Sequence, residues 1–292
     1  MLVLMGRLVR WQGEPPQLRR PWLLTALEGF VDAGGGAATA ATFLRLSWKP
    51  EVSATFDPDE LIDFRSRRPN VVVEGGTLQH IVWPDIELLA ATVDGPRDAL
   101  LLFGAEPDMR WGAFCGAVLE ICQQTGVEQM IGLGAYAAPA PHTRPIRVRR
   151  TVNVATTVDG VLAGFPGVPR YAGPSGVVRI LQGALADAAI PAVALLAEVP
   201  HYLAALPNPA GALALVRAVA TLLETEVDTT ELEAAATLHH EQVDATLAEH
   251  KEAMDMVHAL EQHYDLGGGD AELPTGEDLA AEIERFLRSQ SD

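Results

Sequence analysis

Residues 99–103 read Ala99-Leu100-Leu101-Leu102-Phe103, five apolar side chains in a row. A strand sends successive side chains to opposite faces, so a run with no polar position has no face to offer water. Such a strand belongs inside a sheet that is covered on both sides. Shorter runs at 22–27, 52–56, 71–73, 80–83, 88–93, 129–136, 146–154 and 192–197 also read as strands, with Gly or Pro punctuating nearly every end. Helical patterns occupy 34–46, 111–125, 174–189 and 208–224. The third starts with Pro174, whose missing N–H costs nothing in a first turn. Alternation of strand and helix on this scale predicts an α/β sandwich.

The last part of the chain follows another pattern. Residues 229–264 contain no Gly or Pro, and Leu232, Ala236, Val243, Leu247, Met254, Val257 and Leu260 fall roughly on one face, which predicts one long helix. Gly267-Gly268-Gly269-Asp270 reads as a hinge and 278–287 as a second, short helix. The formal net charge is −18, and residues 229–292 carry −13 of it, which leaves −5 on the rest. We therefore expect an α/β domain over 1–228 and an acidic helical arm over 229–292. The arm packs either on its own domain or on a neighbouring subunit.

Charge also limits the partners. Nucleic acid is not expected, because its binding begins with basic groups neutralising phosphates. The one locally cationic stretch, Arg147-Val148-Arg149-Arg150, reads as a solvated edge strand. No apolar run approaches the ~20 residues that span a bilayer, so no membrane partner is expected. The first residues show no leader pattern, which points to the cytoplasm. Cys115 and Cys122 lie two helical turns apart, about 10 Å, too far to bridge, and read as core residues.

Chemistry-bearing residues cluster where strands end. Gly29-Phe30-Val31-Asp32-Ala33-Gly34-Gly35-Gly36 follows the first strand and opens a helix, so Gly34 and Gly35 form a candidate anion-binding turn. Asp32 in it either lines a ligand loop or caps the helix. Ser175 and Gly176, before the third helix, form a second such turn. Glu106, Asp108 and Arg110 follow the buried run at 99–103, at the end of the sheet where open α/β folds place ligands. His142 and Arg144, then His201 and Tyr202, follow later strands beside proline. Asp32, Glu106, Arg110, His142, Arg144, His201 and Tyr202 thus form a candidate polar pocket. No nucleophile accompanies them: GxSxG and GxxxxGK[ST] are both missing, and the chain has only two lysines, Lys49 and Lys251. No catalytic residue is assigned, and no cofactor or metal is implied. His239, His240, His250, His258 and His263 read as solvated groups on the tail helix, since Asp244 stands where a HExxH zinc helix needs its second histidine.

Seven of these pieces, in this order, resemble the proteasome assembly chaperone family, in particular its actinobacterial-type members of unassigned function. They are Gly29-Phe30-Val31-Asp32-Ala33-Gly34, Asp59-Glu60-Leu61-Ile62-Asp63-Phe64-Arg65, Arg67-Arg68-Pro69, Glu106-Pro107-Asp108, Pro141-His142-Thr143-Arg144-Pro145, Tyr171-Ala172-Gly173-Pro174-Ser175-Gly176 and Pro200-His201-Tyr202. The resemblance implies a three-layer α/β/α sandwich similar to the purine nucleoside phosphorylase and nucleosidase fold. It also implies self-association, with a trimer favoured, and a chaperone role in the proteasomal branches. The terminal Gln290-Ser291-Asp292 departs from the hydrophobic–Tyr–any ending of archaeal-type members. Two functions are therefore expected in competition. The first is a non-enzymatic oligomeric scaffold or assembly chaperone whose acidic arm contacts a partner. The alternative is a nucleoside-like small-molecule hydrolase or phosphorylase using the polar cleft.

Overall fold

The computed structural model describes residues 8–266. Eight strands form one sheet: β1 (Val9–Trp11), β2 (Trp22–Glu28), β3 (Glu51–Phe56), β6 (Ile86–Ala91), β7 (Ala99–Ala105), β8 (Gln129–Ala138), β9 (Val148–Val152) and β10 (Ala192–Pro200). Their spatial order is β1-β3-β6-β7-β2-β8-β10-β9. The central four, β7, β2, β8 and β10, run parallel, while β6, β3, β1 and β9 are added antiparallel at the flanks. The apolar run at 99–103 lies in β7, inside the sheet, with every member buried.

Helices cover both faces. α1 (Gly36–Trp48) and α5 (Pro209–Leu223) pack on one side with Leu24, Leu101, Ile131 and Leu195. α3 (Trp111–Thr125) and α4 (Val177–Asp187) pack on the other with Leu23, Leu100, Leu102 and Met130. Consecutive residues of β2 and β7 thus feed opposite cores, which is the three-layer α/β/α arrangement. Cys115 and Cys122 sit in the second core as free thiols, and burial pushes them up to about 11 and about 12.

Two segments differ from the sequence reading. The runs at 71–73 and 80–83 do not join the main sheet. They form a separate hairpin, β4 (Asn70–Glu74) and β5 (Thr77–Val82), reached through the single-turn α2 (Pro58–Leu61). Gly75 and Gly76 between them both have positive φ, the backbone that a tight two-residue hairpin turn requires. The long tail helix is also two helices, α6 (Thr230–Leu247) and α7 (Lys251–Asp265), parted at His250, whose backbone is extended. An unbroken helix over 229–264 would run roughly 50 Å in one direction. The break instead lets both helices reach the same domain loop. The glycine hinge and the helix read at 278–287 lie outside the described residues.

Phe114 on α3 is fully buried, and its ring centre lies 5.1 Å from that of Phe56. Truncating it removes the largest fully buried side chain of the second core. Phe114→Ala is expected to destabilise the fold by about 3–5 kcal/mol in urea unfolding.

Candidate functional site

Glu106 leaves the end of β7 and is nine-tenths buried, yet no cation pairs with it among the described residues. Its two oxygens instead accept backbone N–H groups from two other segments, Phe30 at 3.0 Å and Val177 at 2.6 Å. Val177 is the first residue of α4, so this carboxylate caps a helix that is remote in sequence. The same contact dictates two glycines. A Cβ at Gly29 would sit 2.0 Å from one Glu106 oxygen, and one at Gly176 would sit 2.8 Å from the other. Three candidate loops thus converge on one side chain. The N–H beside Gly176 is already held by the chain's own anion, and the Ser175 hydroxyl lies 3.4 Å from the Gly176 carbonyl.

The Asp32 turn is built in the same way. Its carboxylate accepts the N–H groups of Ala37 and Ala38, at 2.6 and 3.1 Å, and so caps α1. Burial pushes the Asp32 carboxyl up, and these two donors oppose the shift. Gly34 donates its N–H to Ala204 and accepts that of Asn208, which ties the turn to the loop after Tyr202. Gly35 donates to the Asp32 carbonyl.

Arg110 and Asp108 face the hairpin. Arg110 pairs with Glu60 on α2. Asp108 accepts the Asp63 N–H at 2.9 Å and faces Arg67 at 3.6 Å. Phe64 packs edge-on against Trp83, with ring centres 5.0 Å apart. Residues 58–69 and 106–110 therefore clamp the base of the β4–β5 hairpin to the domain.

The loop 141–145 meets the C-terminal helices. The His142 side chain is largely covered, with Nδ1 2.6 Å from the Tyr202 hydroxyl and Nε2 2.9 Å from Asp244 on α6. The Tyr202 oxygen also accepts the His142 backbone N–H. Burial, joined by the charges of Asp244 and Glu261, pushes the Tyr202 phenol up to about 12 against that N–H, so it keeps its proton. His201 packs edge-on against Tyr202, with ring centres 5.4 Å apart. Arg144 forms a double bridge to Asp265 and a further one to Glu261, both on α7. Arg147 stacks 3.5 Å over the Tyr264 ring and donates to the Tyr264 carbonyl.

The structure thus joins His142, Tyr202 and His201, links Asp32 and Gly34 to the neighbouring loop, and ties Glu106 to Gly176. Arg110 stands with the hairpin base, and Arg144 with the arm. One polar cluster escaped the sequence reading: Tyr136 on β8, Glu198 on β10 and Arg149 on β9. The Tyr136 hydroxyl donates to Glu198 at 2.8 Å, and Arg149 pairs with the same carboxylate oxygen. Arg149 is therefore buried, not on a solvated edge as its strand suggested. Alternation along β9 was the available signal, since it puts Arg149 on the face opposite Val148. His239 and His240 also differ from expectation: both are half-buried, and His240 pairs with Asp244 at 3.1 Å. Their signal was the i,i+4 spacing of His240 and Asp244. An open surface groove of about 770 Å³ at the α5–α6 joint, lined in part by Arg217, Thr225 and Asp228, holds none of the candidate residues. Among the described residues, no three His, Cys, Asp or Glu side chains are gathered as a metal site.

A model of the PAC2 family matches residues 26–247. A Corynebacterium glutamicum protein of unknown function is 31% identical, with 89% of this chain and 98% of that one covered and a TM-score of 0.82. A PAC2 family protein from Streptomyces avermitilis is 37% identical over 81% of this chain and 99% of that one, with a TM-score of 0.70. A Mycobacterium tuberculosis proteasome-assembly chaperone homologue is 32% identical over 81% and 99%, with a TM-score of 0.73. Nothing matches among curated proteins.

Glu106→Ala is expected to lower stability by about 1–3 kcal/mol for each backbone donor left buried without a partner, measured by chemical denaturation. Glu106→Gln, which retains one acceptor oxygen, should fall between it and the parent. The Arg144 hydrogen bond holds the Asp265 carboxyl below the usual carboxylate range, so its contribution is complete above the unfolded pKa of about 3.9. That contribution is lost as pH falls through the depressed value. Acid should therefore loosen α7 at this contact, seen as amide exchange over 251–265, and Arg144→Ala should remove that acid step.

Proposed function

The chain belongs to the PAC2 family, and from that premise we propose that it is a self-associating protein-binding scaffold of the assembly-chaperone kind rather than an enzyme. The β4–β5 hairpin carries this reading. Val71, Val73, Leu78, Ile81 and Val82 are each at least 41% exposed, and Trp83 at its base is half exposed. A lone two-stranded hairpin is marginal in water, and a contiguous uncovered apolar surface marks a contact site. The clamp at 58–69 and 106–110 supports the same reading, because it fixes the hairpin's direction before any partner arrives. Each candidate pocket residue other than His201 has a hydrogen-bonded or ionic partner within the chain, which favours positioning over chemistry.

In this reading the hairpin seats on other copies of the chain, a trimer being favoured. The acidic arm, docked on its own domain through loop 141–145, offers its outward carboxylates to a further protein. The neighbour from Mycobacterium tuberculosis is described as a proteasome-assembly chaperone homologue, so proteasome subunits are the first partners to test. Among the described residues no helix is long and apolar enough to cross a membrane, and we place the protein in the cytoplasm.

Light scattering on the purified full chain tests the self-association. The parent is expected as a defined oligomer, and Val73→Asp combined with Ile81→Asp as a monomer with unchanged far-ultraviolet circular dichroism. A monomeric parent, or a double variant of unchanged mass, would overturn the hairpin assignment. Co-assembly with purified proteasome α subunits on native gels tests the chaperone role separately.

A further inference from the structure

Self-association as a trimer sets a demand that the hairpin alone does not meet. Copies around a threefold axis meet through two different surfaces, one given to one neighbour and one that receives the other neighbour. If the β4–β5 hairpin is the surface given, the same chain must carry a second that receives it.

The rim around Glu106 has the features of such a receiver. The Glu106 carboxylate ties the backbone at Phe30 to that at Val177. Each of the three segments that meet there leaves a large apolar side chain uncovered: Phe30 is 66% exposed, Met109 43% and Tyr171 53%. Their positions are fixed from within. The Phe30 N–H is held by Glu106, the Met109 N–H donates to the Leu61 carbonyl, and the Tyr171 hydroxyl donates to the Pro174 carbonyl. Apolar groups held in place and left in water are ready for a contact at little further ordering cost. Arg170 and Arg179 stand exposed beside Tyr171, and neither has a carboxylate partner among the described residues. Partial burial lowers the Arg179 guanidinium pKa, the Tyr171 phenol opposes that shift, and no carboxylate acts on the group. Aromatic residues, Met and Arg are the types enriched at protein contacts.

The hairpin carries the complement. Besides its uncovered Val, Leu and Ile side chains it has a single carboxylate, Glu74, next to the Gly75-Gly76 turn at its tip. Glu74 is exposed and has no cationic partner among the described residues.

We propose that Phe30, Met109 and Tyr171, flanked by Arg170 and Arg179, form a socket for the β4–β5 hairpin of a second copy, with the carboxylate at the hairpin tip facing the two arginines.

This inference rests on the reading of the hairpin as a self-association element. It adds the surface on which the hairpin lands. Residues 106–110 serve both surfaces: Asp108 and Arg110 secure the hairpin base, and Met109 between them belongs to the socket. One clamped loop thus sets the angle between the surface given and the surface that receives. A fixed angle is what lets contacts of this kind close into a ring instead of running on as a filament.

Light scattering of the full chain over a range of concentrations reads the socket. Phe30→Asp with Met109→Ser is expected to give a monomer with unchanged far-ultraviolet circular dichroism, as Val73→Asp with Ile81→Asp does. Glu74→Arg places like charges together and should raise the concentration needed for assembly about tenfold. Adding Arg170→Glu and Arg179→Glu to Glu74→Arg reverses both sides of the contact and should restore the parent's assembly. If the parent is oligomeric and the hairpin variant monomeric, while Phe30→Asp with Met109→Ser keeps the parent's mass, the socket is overturned and the hairpin reading stands. A charge-reversed triple variant no better assembled than Glu74→Arg alone would overturn the socket as well. A monomeric parent would overturn the hairpin reading and the socket with it.

Discussion

The carboxylate of Glu106 holds together segments that the chain separates by some seventy residues on either side. It ends β7, anchors the turn that ends β2 and caps α4, so three ends at one rim of the sheet share a single acceptor. A buried carboxylate without a cation survives only when backbone donors replace its lost water, and both of its oxygens meet that condition. The cost falls on the backbone, which must come close enough that neither Gly29 nor Gly176 can carry a Cβ. The glycine-rich turns that look like ligand loops in the sequence are thus shaped first by an internal anion. Asp32 repeats the arrangement at α1, within one segment of chain.

A rim of acidic, basic and imidazole side chains at the carboxyl end of a parallel sheet invites a catalytic reading. In this fold those side chains serve joints between elements. Arg110 and Asp108 secure the hairpin base, His142 and Arg144 receive the arm, and Glu106 and Asp32 cap helices. The apolar side chains of the β4–β5 hairpin show the opposite pattern: Val71, Val73, Leu78, Ile81 and Val82 are left uncovered. Polar rim groups engaged within the chain and apolar hairpin groups left exposed are the two observations that support the scaffold proposal.

Most of the sheet was legible because its signal is local. The uninterrupted run of β7 could only be an interior strand, and Pro209 after Asn208 marks the start of α5 by the same capping chemistry seen in the structure. What failed was long-range. Val71–Val73 and His80–Ile81 have the composition of sheet strands, and nothing in ten residues reveals that they pair only with each other. The break at His250 has no glycine or proline to announce it, because it follows from where Asp244, Glu261 and Asp265 find their partners. The pocket residues were recognised as polar loop positions, but their partners lie far along the chain and no spacing encodes them. Arg149 was misread because its burial depends on Glu198, a residue that any single-strand reading assigns to a different element.

The arm's attachment also carries a consequence for the order in which the molecule assembles. Every contact between loop 141–145 and α6 or α7 spans more than a hundred residues of chain. Contacts so distant close late, after β8, β9 and β10 have fixed the loop, and during synthesis they must wait for α6 and α7 to emerge. A nascent chain therefore passes through a stage in which the sheet has formed while the His142 loop is still open and the first core still lacks Leu232 of α6. α6 and α7 join only after that stage, on a domain whose apolar hairpin has been exposed since its first third was made.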